Sequence, residues 1–331
     1  MTTTPLPSAI CVLGMGLIGG SLMRAAQPRV PVFGWSPGAG TRTAAASDGF
    51  EVVDELPDAL RRAADLDALV VLAAPVTAFP SLLKTIDEVA PATRLTDVAG
   101  VKSPVALEVA SLAPRARYIG SHPMTGTEHS GWASGAAGLF ADRGWVTTLD
   151  EDSDVELWAP IAGLATIIGS RVVPCEVAAH DDAAARISHL PHLVAAALAQ
   201  VGVMGGPLAL SLAAGSFRDG TRVAGTRPEL VRAMCETNAS PLIDAMDEML
   251  AQLGVARGSL ASSGSLAKIA AAGFEARTEF DGRFDGLEPV ELSGDDMVEQ
   301  LLSVGAVGGY VTEIVSAADG LRVHAMFPAE D

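Results

Sequence analysis

Short apolar runs alternate with amphipathic stretches through the first half of the chain. Each run is bounded by glycine, proline or polar residues, which is typical of buried strands, and the stretches between the runs have helical periodicity. The predicted strands are 9–13, 30–35, 51–53, 68–73, 93–98, 117–120, 145–149 and 171–173. Strands that alternate with helices indicate a doubly wound, mostly parallel sheet with right-handed crossovers. We therefore predict an α/β domain over residues 1–173.

The pattern changes after residue 173 to long Ala- and Leu-rich stretches with few strand signals. This pattern predicts an all-α domain over residues 174–286, and helices this apolar are expected to bury faces against a second copy of the chain. The last segment, residues 287–331, is more polar. Its two strand-like runs, 310–315 and 321–327, predict a β-hairpin in a C-terminal extension.

The charge balance restricts the partners that this protein can have. There are 22 Lys and Arg residues against 40 Asp and Glu residues, a formal net charge of −18. Such a surface repels phosphate backbones and anionic membranes, so neither nucleic acid nor a membrane is an expected partner. An anionic small substrate would need its own cluster of Arg or His.

The cysteine usage and the N-terminal segment indicate a cytoplasmic protein. Three widely spaced cysteines, 49% hydrophobic residues and no zinc-type spacing predict buried thiols in a reducing compartment. The first eight residues lack the basic and apolar regions of a secretory signal. The most apolar stretch, 193–213, is interrupted by Gln200 and by 205–207, so no membrane span is predicted.

A glycine-rich loop follows the first predicted strand. The loop has the pattern Gly-x-Gly-x-x-Gly and opens a predicted helix; its residues are Gly14, Met15, Gly16, Leu17, Ile18 and Gly19. Glycines at this spacing allow a tight turn and close approach of a pyrophosphate to the helix N-terminus, as in a Rossmann dinucleotide site. The second strand ends at Ser36 without the carboxylate that binds the ribose of NAD, and Ser36 and Arg42 suit a 2′-phosphate. We therefore expect NAD or NADP, with a preference for NADP.

Three histidines and a pair of arginines are candidates for chemistry. His122 lies just past the carboxyl end of a predicted strand, the edge of a parallel sheet where ligands bind, and its near-neutral pKa suits proton transfer. His189 and His192 are three residues apart, but a third metal ligand is missing, so no metal site is predicted. Arg218 and Arg222 are the two arginines of an Ala-rich stretch, and either guanidinium can bind a carboxylate through two hydrogen bonds.

These stretches together resemble the prephenate/arogenate dehydrogenase family of tyrosine biosynthesis. The match runs in order from about residue 9 to 280 and is carried by 14–22, 72–76, 97–102, 120–131, 188–192, 217–222, 226–228 and Asn238. The resemblance implies a Rossmann domain followed by an all-helical domain that builds a dimer. It also implies oxidative decarboxylation of prephenate to 4-hydroxyphenylpyruvate, with hydride transfer to NAD or NADP.

The resemblance also assigns roles to individual residues. It implies that His122 accepts the proton of the ring hydroxyl, that Arg222 binds a substrate carboxylate and that His189 lines the pocket. Thr127 and Glu128 would lie at the mouth of the pocket, and Ala74 and Pro75 would contact the cofactor. Members of the family commonly carry Ser or Thr at the position of Gly100, where the hydroxyl helps to orient the histidine. In this chain Ser121, Ser103 or a water would have to replace that hydroxyl.

Three other functions are compatible with parts of the sequence. An arogenate dehydrogenase would share every motif and would give tyrosine directly. A β-hydroxyacid-type dehydrogenase would share the Rossmann half, but its catalytic lysine is missing from residues 175–209. A non-catalytic NADP sensor or scaffold would keep the glycine loop and would need neither His122 nor Arg222.

Overall fold

The computed structural model describes residues 3–126, 129–318 and 320–329. The strands in these ranges are β1 (Ile10–Leu13), β2 (Val32–Trp35), β3 (Glu51–Val52), β4 (Leu69–Leu72), β5 (Arg94–Asp97), β6 (Arg117–Ile119), β7 (Ser121–Pro123), β8 (Gly144–Thr148), β9 (Arg171–Cys175), β10 (Leu287–Leu292), β11 (Tyr310–Ala317) and β12 (Gly320–Pro328).

The α-helices of the same ranges connect these strands and build most of the second half. They are α1 (Leu17–Ala26), α2 (Ala39–Ser47), α3 (Leu56–Asp65), α4 (Phe79–Val89), α5 (Ser103–Leu112), α6 (Val155–Ile167), α7 (Val177–Ala184), α8 (Leu190–Met204), α9 (Gly206–Leu212), α10 (Gly215–Thr221), α11 (Pro228–Thr237), α12 (Ala239–Ser262), α13 (Ala267–Asp281) and α14 (Met297–Ala306).

The first six strands form one parallel sheet in the order β3-β2-β1-β4-β5-β6. This is the strand order of the Rossmann fold. Alternate side chains of β1 enter two different cores: Ile10 and Val12 pack in the core that holds α1, while Cys11 and Leu13 pack in the core that holds α3, α4 and α5. Both faces of the sheet are therefore covered, and the predicted doubly wound α/β fold is confirmed.

The remaining strands form a second six-stranded sheet in the order β10-β12-β11-β9-β8-β7. The sequence pattern assigned 145–149 and 171–173 to the parallel sheet, but β8 and β9, although parallel to each other, lie between the antiparallel neighbours β7 and β11. The chain leaves the first sheet at Gly120, where a Cβ atom would lie 2.6 Å from Thr148 Oγ1 and 2.9 Å from the Tyr118 hydroxyl. Any larger residue at this position would have to displace these two side chains.

The chain divides into two compact units at His180/Asp181 and at Gly286/Leu287. The segment after residue 286 belongs with the α/β unit, because β11 and β12 pair antiparallel with each other and Val311 of β11 pairs with Val172 of β9. Residue 319, within the predicted hairpin turn, lies outside the described residues.

The helical unit has a small core and a large exposed apolar surface. Its core contains Ala185, Cys235, Leu242 and Ala245. Many large apolar side chains on its helices are exposed: Val201, Val203, Met204, Leu208, Leu212, Ile243, Leu250, Leu253, Val255, Leu260 and Phe274. An apolar surface of this extent is typical of a face that another protein surface covers.

One helical run in the described residues, Val177–Met204, is long and apolar enough by length and composition to cross a membrane. The sequence pattern predicted no span, so this run is an exception to that expectation. A single such helix is weak support for a membrane segment. The run ends at Met204, before the predicted interruption at Gly205.

Candidate active site

The glycine loop has the geometry that a bound dinucleotide requires. Gly14 has φ +111°, and a Cβ atom there would lie 2.6 Å from the backbone of Ala73 and Ala74. At Gly19 a Cβ atom would lie 2.0 Å from Gly14 O, whereas at Gly16 nothing lies within 4 Å. The loop thus packs tightly against the sheet at Gly14 and Gly19 and leaves free space at Gly16. Gly16 directly precedes α1, and no side chain of the described residues caps this end of the helix. Open backbone amides at a helix N-terminus fit a pyrophosphate.

The other predicted cofactor residues lie close to the glycines of the loop. The Met15 side chain is buried and reaches toward Gly34 in β2. Leu17 and Ile18 begin α1 and are partly exposed. Ala74 and Pro75 directly follow β4, and the Ala74 backbone is a close neighbour of Gly14. The predicted cofactor residues around the loop are therefore brought together at one edge of the sheet.

Arg42 lies at the end of β2, beside Ser36. Its Nη1 donates to Ser36 O at 2.7 Å and to Pro37 O at 3.1 Å, and its Nε lies 3.4 Å from Oδ1 of Asp54. Sequence reasoning missed Asp54, which follows β3 rather than β2. The Asp54 carboxylate is 89% exposed, so its attraction for Arg42 is screened by water.

A buried cluster of hydrogen-bonded polar groups connects the end of β5 to β7. The Asp97 carboxylate, fully buried, forms an ion pair with buried Lys102, and it accepts hydrogen bonds from Ala99 N at 2.6 Å and from the Tyr118 hydroxyl at 2.6 Å. Lys102 Nζ also donates to Ser121 O at 2.7 Å. This cluster holds the loop that contains Gly100 against β7, the strand that contains His122.

His122 is the middle residue of β7, immediately past the carboxyl end of β6. Its Nδ1 lies 2.9 Å from Nε2 of His180, in the first turn of α7. A Cβ atom at Gly100 would lie 3.7 Å from both Cε1 and Nε2 of His122, so the Nε2 side of the ring faces Gly100. Because β1, β4, β5 and β6 are parallel neighbours, His122 follows the same sheet edge that carries the glycine loop.

Ser121 lies inside the sheet rather than in an open site. Its side chain is fully buried, and its hydroxyl donates to Asp97 O at 2.6 Å and lies 3.1 Å from Thr96 Oγ1. These partners hold the hydroxyl inside the sheet, and a contact of Ser121 with the substrate stays a prediction. Thr127 and Glu128, predicted at the mouth of the pocket, lie outside the described residues.

In the helical unit, His189 ends a π-helical turn, Ala185–His189, and is 1% exposed. The Asn238 amide Nδ2 donates to Asp181 O at 2.7 Å and lies 3.1 Å from His189 Nδ1. An amide N–H can only donate, so His189 Nδ1 accepts and its proton is on Nε2. Asn238 thus fixes both the orientation and the tautomer of this histidine, a role that its place in the motif match did not reveal.

Arg222 begins a 3-10 turn, Arg222–Gly225, and is exposed within the helical unit. His192 Nδ1 donates to Val223 O at 3.2 Å. Burial lowers the pKa of His192 and the positive charge of Arg222 lowers it further, while the hydrogen bond to Val223 O opposes them in part. His189 and His192 have different partners, and the described residues contain no group of three or more His, Cys, Asp or Glu that could hold a metal.

The comparisons with known proteins assign the family. Residues 19–174 match the sequence model of the prephenate dehydrogenase nucleotide-binding domain, and residues 176–265 match that of the prephenate dehydrogenase dimerization domain. The cyclohexadienyl dehydrogenase of Zymomonas mobilis is 33% identical over 269 residues, which cover 76% of this chain and 88% of that protein. The chain belongs to the prephenate dehydrogenase family.

Two solved structures extend the match to the fold. A Corynebacterium glutamicum protein, provisionally described as a prephenate dehydrogenase, is 42% identical with a TM-score of 0.87, covering 92% of this chain and 98% of that one. Arogenate dehydrogenase from Synechocystis is 30% identical with a TM-score of 0.70, covering 82% and 99%. This member of the prephenate dehydrogenase family is thus an oxidoreductase that uses a nicotinamide dinucleotide and performs the oxidative decarboxylation of the family.

Proposed function

We propose that this protein oxidises and decarboxylates prephenate to 4-hydroxyphenylpyruvate, with arogenate as the alternative substrate. The assignment of roles rests on the position of His122, which lies at the same edge of the sheet as the glycine loop. A base at this edge can act on a hydroxyl whose carbon faces a bound dinucleotide. Gly14, Gly16, Gly19, Ala74 and Pro75 would hold the dinucleotide.

The proposed reaction needs one base and accurate positioning. His122 Nε2 accepts the proton of the ring hydroxyl, and the carbon that bears this hydroxyl loses a hydride. The bound nicotinamide supplies the hydride acceptor. The bond to the ring carboxylate breaks, carbon dioxide leaves, and the electron pair of that bond completes the aromatic ring. The proton held by His122 returns to the ring oxygen, which gives the phenol of 4-hydroxyphenylpyruvate. Aromatisation drives the reaction, so placing the hydroxyl against His122 is the main task of the protein.

The substrate carboxylate requires a cation in a protein of net charge −18. Arg222 is the candidate, because it is exposed in the helical unit, where its charge acts on His192. Guanidinium binds carboxylate through two parallel hydrogen bonds. His189, held by Asn238, is the second residue of the helical unit that we assign to substrate binding.

We expect Arg222→Ala to raise KM for prephenate by about 10- to 100-fold with a small change in kcat, because one charge-assisted interaction is lost in ground state and transition state alike. Steady-state kinetics at fixed ionic strength measures both constants. Arg218→Ala removes a second exposed arginine of the same region and serves as the matched control. An unchanged KM in Arg222→Ala, or an equal rise in both variants, would contradict the carboxylate role.

Arg42 and Ser36 favour NADP over NAD. Ser36 stands where a carboxylate would bind the ribose hydroxyls of NAD, and Arg42 is held against this position by the carbonyls of Ser36 and Pro37. A guanidinium anchored in this way retains donors that suit a 2′-phosphate. The Asp54 carboxylate is too exposed to cancel this preference.

A four-way assay tests substrate and cofactor together. Prephenate or arogenate is combined with NAD or NADP, and absorbance of the reduced cofactor gives kcat/KM for each pair. We expect the highest value for prephenate with NADP. A higher value with arogenate would replace the proposed substrate, a higher value with NAD would reverse the cofactor preference, and no turnover in any pair would overturn the proposed function.

We also propose that the protein is a cytoplasmic homodimer. The exposed apolar side chains of α8, α9 and α12 lie in the segment that matches the dimerization domain of the family. A second copy of the same surface would remove these side chains from water, the main source of stability in obligate dimers. The buried thiols of Cys11 and Cys235 are compatible with a reducing compartment.

A further inference from the structure

We propose that His180 is a positioning residue: it accepts a hydrogen bond from Nδ1 of His122 and thereby holds His122 in the tautomer that can act as a base. This inference rests on the proposed role of His122. The observations that carry it are the 2.9 Å separation of His122 Nδ1 and His180 Nε2, the burial of His180 at 3% exposure, and the Nε2 side of His122 facing Gly100.

The direction of the hydrogen bond decides whether His122 can accept a proton. Two neutral imidazoles in contact share one hydrogen, so one ring donates and the other accepts. If His180 donated, the proton of His122 would be on Nε2, and that nitrogen would have no lone pair for the substrate hydroxyl. If His122 donates from Nδ1, its Nε2 carries the lone pair toward Gly100. The proposed chemistry requires the second arrangement.

Three neighbouring strands connect the position of His122 to the start of the helix that carries His180. His122 of β7 is in register with Val146 of β8, which is in register with Val173 of β9. The chain then leaves β9 and turns into α7, where His180 N donates to Glu176 O. Since His180 is on a helix anchored to the same sheet, its Nε2 is a fixed acceptor.

The same bond strengthens when His122 becomes charged. After accepting a proton, His122 is an imidazolium, and its Nδ1–H then makes a charge-assisted hydrogen bond to the lone pair of His180. A neutral acceptor at Nδ1 thus orients the His122 ring and stabilises its protonated state. It does so without adding a negatively charged side chain to a site that binds an anionic substrate. Gly100 has no side chain that could orient the ring from the Nε2 side.

The test compares two substitutions of nearly equal size that differ in the acceptor. His180→Gln keeps an oxygen close to the position of Nε2, whereas His180→Leu fills the space without an acceptor. We expect His180→Leu to lower kcat by about 10- to 100-fold, the range known for lost hydrogen-bond partners of metal-binding histidines, with KM for substrate and cofactor within about twofold. His180→Gln should recover most of kcat. Equal losses in both variants would mean that His180 has only a packing role.

Nitrogen-15 NMR of the histidine rings in the full-length protein gives a readout that does not depend on activity. The chain has six histidines, and the signals of His122 are assigned by their loss in His122→Asn. We expect the neutral His122 ring to carry its proton on Nδ1 in the wild type and in His180→Gln, and to shift toward Nε2–H in His180→Leu. A wild-type His122 with its proton on Nε2 would overturn the inference.

The two readouts separate the inference from the proposed function. If neither prephenate nor arogenate is turned over, the proposed function fails, and the tautomer of His122 still decides whether His180 is its acceptor. If turnover is normal in His180→Leu and His122 keeps its Nδ1 proton there, the function stands and the positioning role is refuted. Should His180→Leu not fold, the wild-type tautomer and His180→Gln remain decisive.

Discussion

Replacing His122 with asparagine is expected to lower kcat for prephenate by about 10²–10⁴-fold, the usual effect of losing one positioned base. Asparagine is well suited to this test, because its amide Nδ2 lies close to the position of Nδ1 and can still donate to His180. The substitution therefore removes the Nε2 lone pair while keeping the contact that fixes the side chain. Stopped-flow and steady-state absorbance of the reduced cofactor measure the loss.

The control for His122→Asn is the same substitution at His324, which lies in β12 and is partly exposed. We expect His324→Asn to keep wild-type kcat. Dissociation constants for NADP and NAD should be unchanged in His122→Asn, because the glycine loop on α1 is untouched. Turnover within a few-fold of wild type would exclude His122 as the base, and a parallel loss of cofactor binding would point to a structural role instead.

The parts of the fold that depend on short-range patterns were predictable from the sequence. The six parallel strands follow from buried apolar runs separated by helices, and the glycine loop follows from its spacing. The structure adds a reason for two of its three glycines: Gly14 has a positive φ and abuts the backbone after β4, and Gly19 abuts the Gly14 carbonyl. The turn at Gly14 and the contact between Gly19 and Gly14 are local constraints, so they leave a recognisable pattern in the sequence.

The parts that depend on long-range contacts were not predictable. A periodic pattern cannot distinguish a parallel strand of the first sheet from β8 or β9 of the second, since both are short apolar runs. The partner of His122 is 58 residues away, in the helix Val177–Ala184, and no spacing rule connects the two positions. Ser121 has the residue type of a substrate contact, and its buried hydrogen bonds to Asp97 and Thr96 could not be inferred from that residue type.

The Asp97–Lys102 ion pair is the second feature with a large expected effect. Its side chains are 0% and 1% exposed, so both charges are removed from water. Such a pair contributes little net stability compared with apolar residues of the same shape, but removing one partner leaves an uncompensated buried charge. Asp97 also accepts hydrogen bonds from Ala99 N and from Tyr118, so its carboxylate is held in place even without the lysine.

We expect Lys102→Met to lower the free energy of unfolding by about 3–5 kcal/mol, seen as a fall in Tm on the order of 10 °C for a unit of this size. Urea unfolding and calorimetry measure the two quantities. Lys84→Met, the same substitution at an exposed position of α4, is the matched control and should change stability by less than about 0.5 kcal/mol.

The double variant Asp97→Asn with Lys102→Met separates the buried charge from the lost packing. Asparagine can still accept from Ala99 N and contact Tyr118, and it brings no charge into the interior. The double variant should therefore be more stable than Lys102→Met alone, giving a coupling energy of more than about 1 kcal/mol. Additive effects, or a Lys102→Met variant as stable as Lys84→Met, would show that water reaches Asp97 and that the pair does not anchor the loop at Gly100 against β7.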